Sequence, residues 1–281
     1  MKLDVLDSLS LPGDPAKAND DAFAHRDHAA VVMDGATGLG EALMPGPSDA
    51  AWVARFGANR LMAHREGNDI KDAVSAALKD AENFFKSLRR RVPKETYELP
   101  FSSMMFVDLV DDGFDAAWFG DCAALVARPG ERVELVGDAM KKRARERDRV
   151  AALAKMTGQN SASSGVREVF LPALRAARNM VNTEKGGWLF GPDARAGEHV
   201  ATGHIKANVG THILLVTDGF LALASDYVRY DVDALMQAAI SKGLAPLGKE
   251  LRAIEDGDPE GVKFPRFKKS DDATALLLRI G

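Results

Sequence analysis

Four apolar runs in this sequence either stop at an aspartate or start from one. Val31-Val32-Met33 runs into Asp34-Gly35, and Ala116 to Phe119 runs into Gly120-Asp121. Ile213 to Thr217 runs into Asp218-Gly219, and Asp271-Asp272 opens onto Thr274 to Ile280. Short runs of this kind, bounded by Gly and polar residues, have the pattern of buried strands. Asp20 and Asp21 stand ahead of the first run. Taken singly, each aspartate reads as a turn or cap residue, because Asp-Gly favours turns and Asp favours helix N-termini. Taken together, they constrain the fold. Core strands bring their ends into one cleft, and several carboxylates in one cleft repel each other unless a cation is present. A set of hard oxygen ligands suits Mg²⁺ or Mn²⁺.

The rest of the chain alternates strands and helices in blocks. From the N-cap candidates Ser48 and Asp49, apolar positions at roughly helical spacing run to Arg65. A second amphipathic helix is expected from Asp69 to about Arg91, ended by Pro93. Ser102 to Val110, Ala116 to Phe119, Ala123 to Ala127 and Arg132 to Val136 read as strands of an antiparallel meander with short connections. A basic run, Lys141 to Arg149, and an amphipathic run, Val166 to Val181, follow across a Ser/Asn/Gly-rich join at Gln159 to Gly165. Strands return at Trp188 to Phe190, Val200 to Ala207 and His212 to Thr217. One helical tract is expected from Asp231 to about Ile254. This block pattern is α+β, with antiparallel sheets covered by helix pairs. No Pro/Gly linker divides the 281 residues, so a single domain over 1–281 is expected, with a helical basic insert around 138–184.

Composition removes whole classes of function. With 41 acidic and 37 basic residues the net charge is −4, which gives no basic excess for a nucleic-acid partner. The one cysteine leaves no disulfide framework and no Cys-rich zinc site. No apolar stretch is long enough to span a bilayer, and the N-terminus lacks the pattern of a signal peptide, so a cytoplasmic protein without membrane contact is expected.

The aspartates fall in an order that resembles the metal-dependent protein phosphatase family, protein phosphatase 2C. The segments that carry the resemblance are Asn19-Asp20-Asp21-Ala22-Phe23, Val32-Met33-Asp34-Gly35, Ser102-Ser103-Met104, Gly120-Asp121, Leu214 to Gly219 and Asp271-Asp272-Ala273-Thr274. Together they run over almost the whole chain. The resemblance implies a four-layer α-β-β-α sandwich of two antiparallel sheets flanked by helix pairs. It implies two Mn²⁺ or Mg²⁺ ions, with Asp34 bridging both and the Gly35 carbonyl on one. Asp218 and Asp271 would hold the other ion, Asp20 and Asp21 would hold metal-bound waters or an ion directly, and Asp121 would lie near a third, weaker ion. Asp34 and Asp218 are then the catalytic residues. The implied reaction is hydrolysis of a phosphate monoester, chiefly phosphoserine or phosphothreonine on protein, by a metal-bridging hydroxide.

The sequence departs from the family pattern at several positions. The phosphate-binding arginine expected three residues before Asn19 is Ala16, with Lys17 beside it as the remaining substrate-binding candidate. The histidine expected after the first Asp-Gly is Ala36. The aspartate expected four residues after Asp218 is Ala222, and the last Asn is Asp272. These departures leave open a phosphatase of small phosphorylated metabolites, or a phosphatase-like binding or regulatory module with weak or no activity.

Other motifs read more simply. Cys122 and Arg128 have the Cys-x5-Arg spacing of thiol phosphatases, but the residues between them form an apolar strand rather than a Gly-rich phosphate cradle, so a buried structural cysteine is expected. Gly35 to Gly40 lacks the lysine of a nucleotide loop. The six histidines show no ligand spacing on one helix; His25 and His28 are candidates for the cleft, and His204 and His212 for strands near a sheet edge. The Lys141 to Arg149 run reads as a solvated helix face or a dock for an acidic or phosphorylated partner.

Overall fold

A computed structural model describes residues 1–64, 69–140, 166–266 and 268–281. Among these residues ten strands form two five-stranded sheets, and every pairing in both is antiparallel. One sheet runs β2 (Asp21–His25), β3 (Ala29–Gly35), β4 (Ser102–Val110), β5 (Gly113–Phe119), β8 (Ala201–Lys206). The other runs β1 (Leu3–Leu11), β10 (Ala273–Ile280), β9 (His212–Val216), β6 (Ala123–Ala127), β7 (Glu134–Val136).

Alternation along the strands explains the layers. On β3, Val31 and Met33 face a helix pair, α1 (Asp49–His64) and α2 (Ile70–Leu88), while Ala30 and Val32 face the opposite sheet. On β4, Met104 and Phe106 face the helices while Met105 and Val107 meet Leu215, Leu276 and Leu278 of the other sheet. The outer face of that second sheet is covered by α4 (Asp218–Ser225), α5 (Val232–Lys242) and α6 (Leu244–Asp256). Both faces of the central strands are therefore buried, and their sequences are continuous apolar runs rather than alternating ones. The result is the expected α+β sandwich of two antiparallel sheets between helical layers.

Several elements differ from the sequence reading. The strands read as one meander are split: β4 and β5 pair as a hairpin, but Gly120-Asp121-Cys122 carries the chain from one sheet to the other, where β6 pairs with β7 and β9. A short turn looks the same in sequence whether it closes a hairpin or crosses a sandwich. The helical tract from Asp231 divides into α5 and α6 at Gly243, which takes φ +78°. The Trp188 to Phe190 segment makes one bridge, Phe190 to Ser102, and forms no strand. Three elements lacked a strong pattern. In β1, partly exposed polar residues interrupt the apolar ones; β2 spans five residues; and α4 follows β9 after Thr217. α3 (Val166–Arg178) lies within the expected insert, while the basic run Lys141 to Arg149 and the join Gln159 to Gly165 fall outside the described residues.

Candidate metal and phosphate site

The aspartates meet because the strand register places them there. Asp21 of β2 lies opposite Asp34 of β3, and Asp34 lies opposite Ser103 of β4. Ser103 Oγ donates to Asp121 Oδ1 at 2.6 Å, which ties the β5–β6 crossing to the same end of the sheet. From the second sheet, Thr217 Oγ1 donates to Asp21 Oδ2 at 2.8 Å and accepts from the Thr274 N–H at 2.9 Å. One hydroxyl thus links the starts of β2, α4 and β10. Thr217 also N-caps α4, so Asp218 sits in the first turn, where the helix dipole favours an anion.

Two of the Asp-Gly glycines are required by packing. A Cβ on Gly35 would stand 2.5 Å from the Asp20 carbonyl oxygen and 2.6 Å from that of Ala50. On Gly219 it would stand 1.9 Å from the Asp272 carbonyl oxygen. Close backbone approach packs the loop after β3 on the entries to β2 and α1, and the start of α4 on the loop before β10.

Asp34, Asp121, Asp218 and Asp271 line one cavity of about 430 Å³, and Gly35, Ala36 and Thr37 form part of its rim. Apolar side chains line the same cavity, Leu174 of α3 with Trp188 and Leu189. Trp188 is held by stacking on His199, ring centroids 3.6 Å apart. Lys268 and Arg178 bring positive charge to the same cavity. Lys268, Arg178, Thr217 and the Trp188 wall were not marked by the sequence reading. Thr217 had a signal, as the residue before Asp218; Lys268 lies in a Gly/Pro/Asp loop with no periodicity to flag it.

Burial, and after it the carboxylates of Asp218, Asp21, Asp271 and Asp121, push the Asp34 carboxyl well above its ordinary range. Burial likewise pushes Asp21 up; the Thr217 hydrogen bond pulls it back, and Asp271, Asp272 and Asp218 push it further. Asp21 Oδ1 is buried and has no hydrogen-bond partner. An acceptor atom without a partner, beside carboxylates that repel one another, is an environment that a divalent cation satisfies. The donor set is all oxygen, which fits Mn²⁺ or Mg²⁺. The cage is not closed, however. Among the described residues no group of three or more His, Cys, Asp or Glu side chains stands ready to hold a metal ion. Thr217 holds one oxygen of Asp21, and the Lys268 ammonium sits 2.5 Å from Asp271 Oδ1, which also accepts from the Asp272 N–H at 2.9 Å.

The other sequence candidates are placed as follows. Asp20 turns toward the N-terminus of α1, where Ser48 Oγ donates to its Oδ1 at 2.5 Å, and it does not line the cavity. Lys17 is exposed, pairs with Asp14 at 3.1 Å, and also lies off the cavity. Asp272, read as one more negative charge, is instead a clamp: its two oxygens accept from the Gly13 and Asp20 N–H groups, both at 2.6 Å. An Asn there would offer a single oxygen for two donors. Cys122 is fully buried in the inter-sheet core, and burial, with Asp34 and Asp121 adding to it, pushes its thiol well up. Arg128 pairs with Glu134 at 2.5 Å and Glu131 at 3.4 Å, so the two do not form a thiol site. His25 and His28 are exposed and off the cavity. His204 is on the edge strand β8, paired with Asp115 at 2.9 Å, whereas His212 begins the inner strand β9.

The architecture has close counterparts among solved structures. The serine/threonine phosphatase PstP/Ppp of Mycobacterium tuberculosis superposes with a TM-score of 0.57 at 12% identity, covering 100% of this chain and 99% of that one. The PstP catalytic domain in complex with two manganese ions gives 0.56 at 12% identity, with the same coverage. The PPM Ser-Thr phosphatase MsPP of Mycobacterium smegmatis, in complex with cacodylate, gives 0.55 at 17% identity, covering 99% of each chain. No protein-family model matches the sequence, and no curated protein does. The chain has the protein phosphatase 2C-like fold.

Proposed function

We propose that the protein is a divalent-metal-dependent phosphatase of phosphate monoesters, with phosphoserine or phosphothreonine on protein as its preferred substrate. The observation that carries this reading is the convergence of Asp34, Asp121, Asp218 and Asp271 on one cavity beside the partnerless Oδ1 of buried Asp21. Asp34, Asp218, Asp271 and Asp21, with Gly35, would hold two Mn²⁺ or Mg²⁺ ions, and Asp121 would stand by a third. Divalent ions bound there supply Lewis acidity, an activated water and charge compensation for the phosphoryl oxygens. The chain's own part is to hold the carboxylates in register, to offer Lys268 and Arg178 to an anion, and to exclude water with the Trp188 wall.

The reading is tested by Mn²⁺-dependent hydrolysis of p-nitrophenyl phosphate, a phosphothreonine peptide and a panel of phosphorylated metabolites. Hydrolysis of the peptide, lost in Asp218→Asn, is expected. Turnover of metabolites alone would remove the protein-phosphatase claim. A second reading, a phosphatase-like binding module, is favoured by the open cage and by Ala16, Ala36 and Ala222. Wild-type activity no higher than that of Asp218→Asn would select it. Among the described residues, no helix is long and apolar enough to cross a membrane.

A further inference from the structure

Lys268 lies in the loop before β10 and faces the cavity beside Asp34, Asp218 and Asp271. Its ammonium is 2.5 Å from Asp271 Oδ1 and 3.5 Å from Thr37 Oγ1, so one side chain reaches from the last loop to the loop after Gly35. The next residue, Lys269, turns away and pairs with Asp256 at 2.6 Å.

Asp271 Oδ1 already accepts from the Lys268 ammonium and the Asp272 N–H, so a divalent ion drawn to Asp271 competes with the ammonium for its charge. An ion at Asp271 releases the ammonium, and the four-carbon stem, with 46% of the side chain exposed, leaves it free to swing within the cavity. A phosphate bound there needs a cationic donor. The position read for one is Ala16, Lys17 is occupied with Asp14 outside the cavity, and the cavity itself is lined by two cations, Lys268 and Arg178, of which Lys268 is the one beside Asp34, Asp218 and Asp271.

We propose that Lys268 is a phosphate ligand of this site: it balances Asp271 while no ion is bound, and turns to the phosphoryl oxygens of the substrate once an ion takes Asp271. This rests on reading the cavity as a phosphatase site, and the test separates the two. Mn²⁺ is titrated calorimetrically into wild type, Lys268→Met, Lys268→Arg and Lys269→Met, and inorganic phosphate is then titrated into each Mn²⁺-loaded protein. Lys268→Met is expected to bind Mn²⁺ about threefold more tightly, having lost the competing ammonium, and phosphate about tenfold more weakly. Lys268→Arg keeps phosphate binding within about threefold, and Lys269→Met, which removes the same charge one residue away, changes neither. Unchanged affinity of Lys268→Met for either probe overturns the proposal, as does wild-type protein that binds Mn²⁺ but no phosphate. Mn²⁺-dependent hydrolysis of p-nitrophenyl phosphate by the wild type, measured alongside, reports separately on the phosphatase reading. A wild type that binds no Mn²⁺ overturns both.

Discussion

Single residues at this site differ in how far sequence exposes them. Asp34, Asp121, Asp218 and Asp271 announce themselves because each stands at the end of an apolar run, and strand ends are where a sandwich opens to ligand. Asp20 carries the same local signal as Asp21 yet faces α1, since period 2 along the chain sends neighbours to opposite sides. Asp272 is the sharper case. Its departure from the expected Asn looks like a loss, but two N–H donors at 2.6 Å need two acceptor oxygens. Asp272→Asn should therefore lower stability by about 1–3 kcal/mol, because one donor loses its charged acceptor and meets an amide N–H₂ group. Urea unfolding of the ion-free protein measures this, with no change in the m-value expected. Gly35→Ala should cost more, at least about 2 kcal/mol, because the added methyl meets backbone oxygens at 2.5 and 2.6 Å that no rotamer change can clear. A variant that unfolds at the wild-type urea midpoint would show that the β3–α1 junction relaxes freely.

At the scale of elements, the two flanking helices α1 and α2 were legible because one face of each is apolar, and the loop that follows them shows how an irregular segment is fixed. Glu98, at the end of the 3-10 turn Thr96–Glu98, accepts from both Arg91 Nη atoms at 2.7 and 3.1 Å and from the Lys94 N–H at 2.5 Å. The Arg91 hydrogen bond, against some desolvation, brings the Glu98 carboxyl down to about 2. A carboxyl lowered in the folded state stabilises above its unfolded pKa of 4.5 and loses that contribution as pH falls through about 2. Glu98→Gln should therefore be less stable than wild type at pH 7, by about 1–2 kcal/mol, with the gap closing between pH 4.5 and 2. Denaturant melts across that range check both the sign and the window. No sequence pattern marks this clamp, because Arg91 and Glu98 lie seven residues apart in a segment with no period. Where the chain repeats at 2 or 3.6 residues the elements could be read; where side chains tie backbone across a loop, or a three-residue turn changes sheets, they could not.

On the scale of the whole molecule, the four layers follow from strands that are apolar on both faces, and the same packing explains why the carboxylates are costly without a cation. Asp21 is buried and Asp34 half-buried in the cleft, each raised by burial and by neighbouring acids. A carboxyl raised in the folded state holds its proton longer than in the unfolded chain, so stability is highest at acid pH and falls as pH rises through the folded value. Ion-free protein should then lose stability as pH rises above the ordinary carboxyl value of 3.8, over a range that urea melts at stepped pH would trace. Removing one charge from the set, as in Asp34→Asn, should raise the melting temperature of the ion-free protein at pH 7.5, since the remaining carboxylates repel less. The same change removes a bridging ligand. Mn²⁺ at about a hundredfold over its dissociation constant stabilises a folded protein by about 2.7 kcal/mol, or about 5 °C or more for a chain of this size. Wild type should show that rise at pH 7.5, and Asp34→Asn should show little of it. Thermal melts with and without Mn²⁺ distinguish the cases. If Asp34→Asn is both less stable without the ion and still stabilised by it, Asp34 is a structural carboxylate and the ion site lies elsewhere.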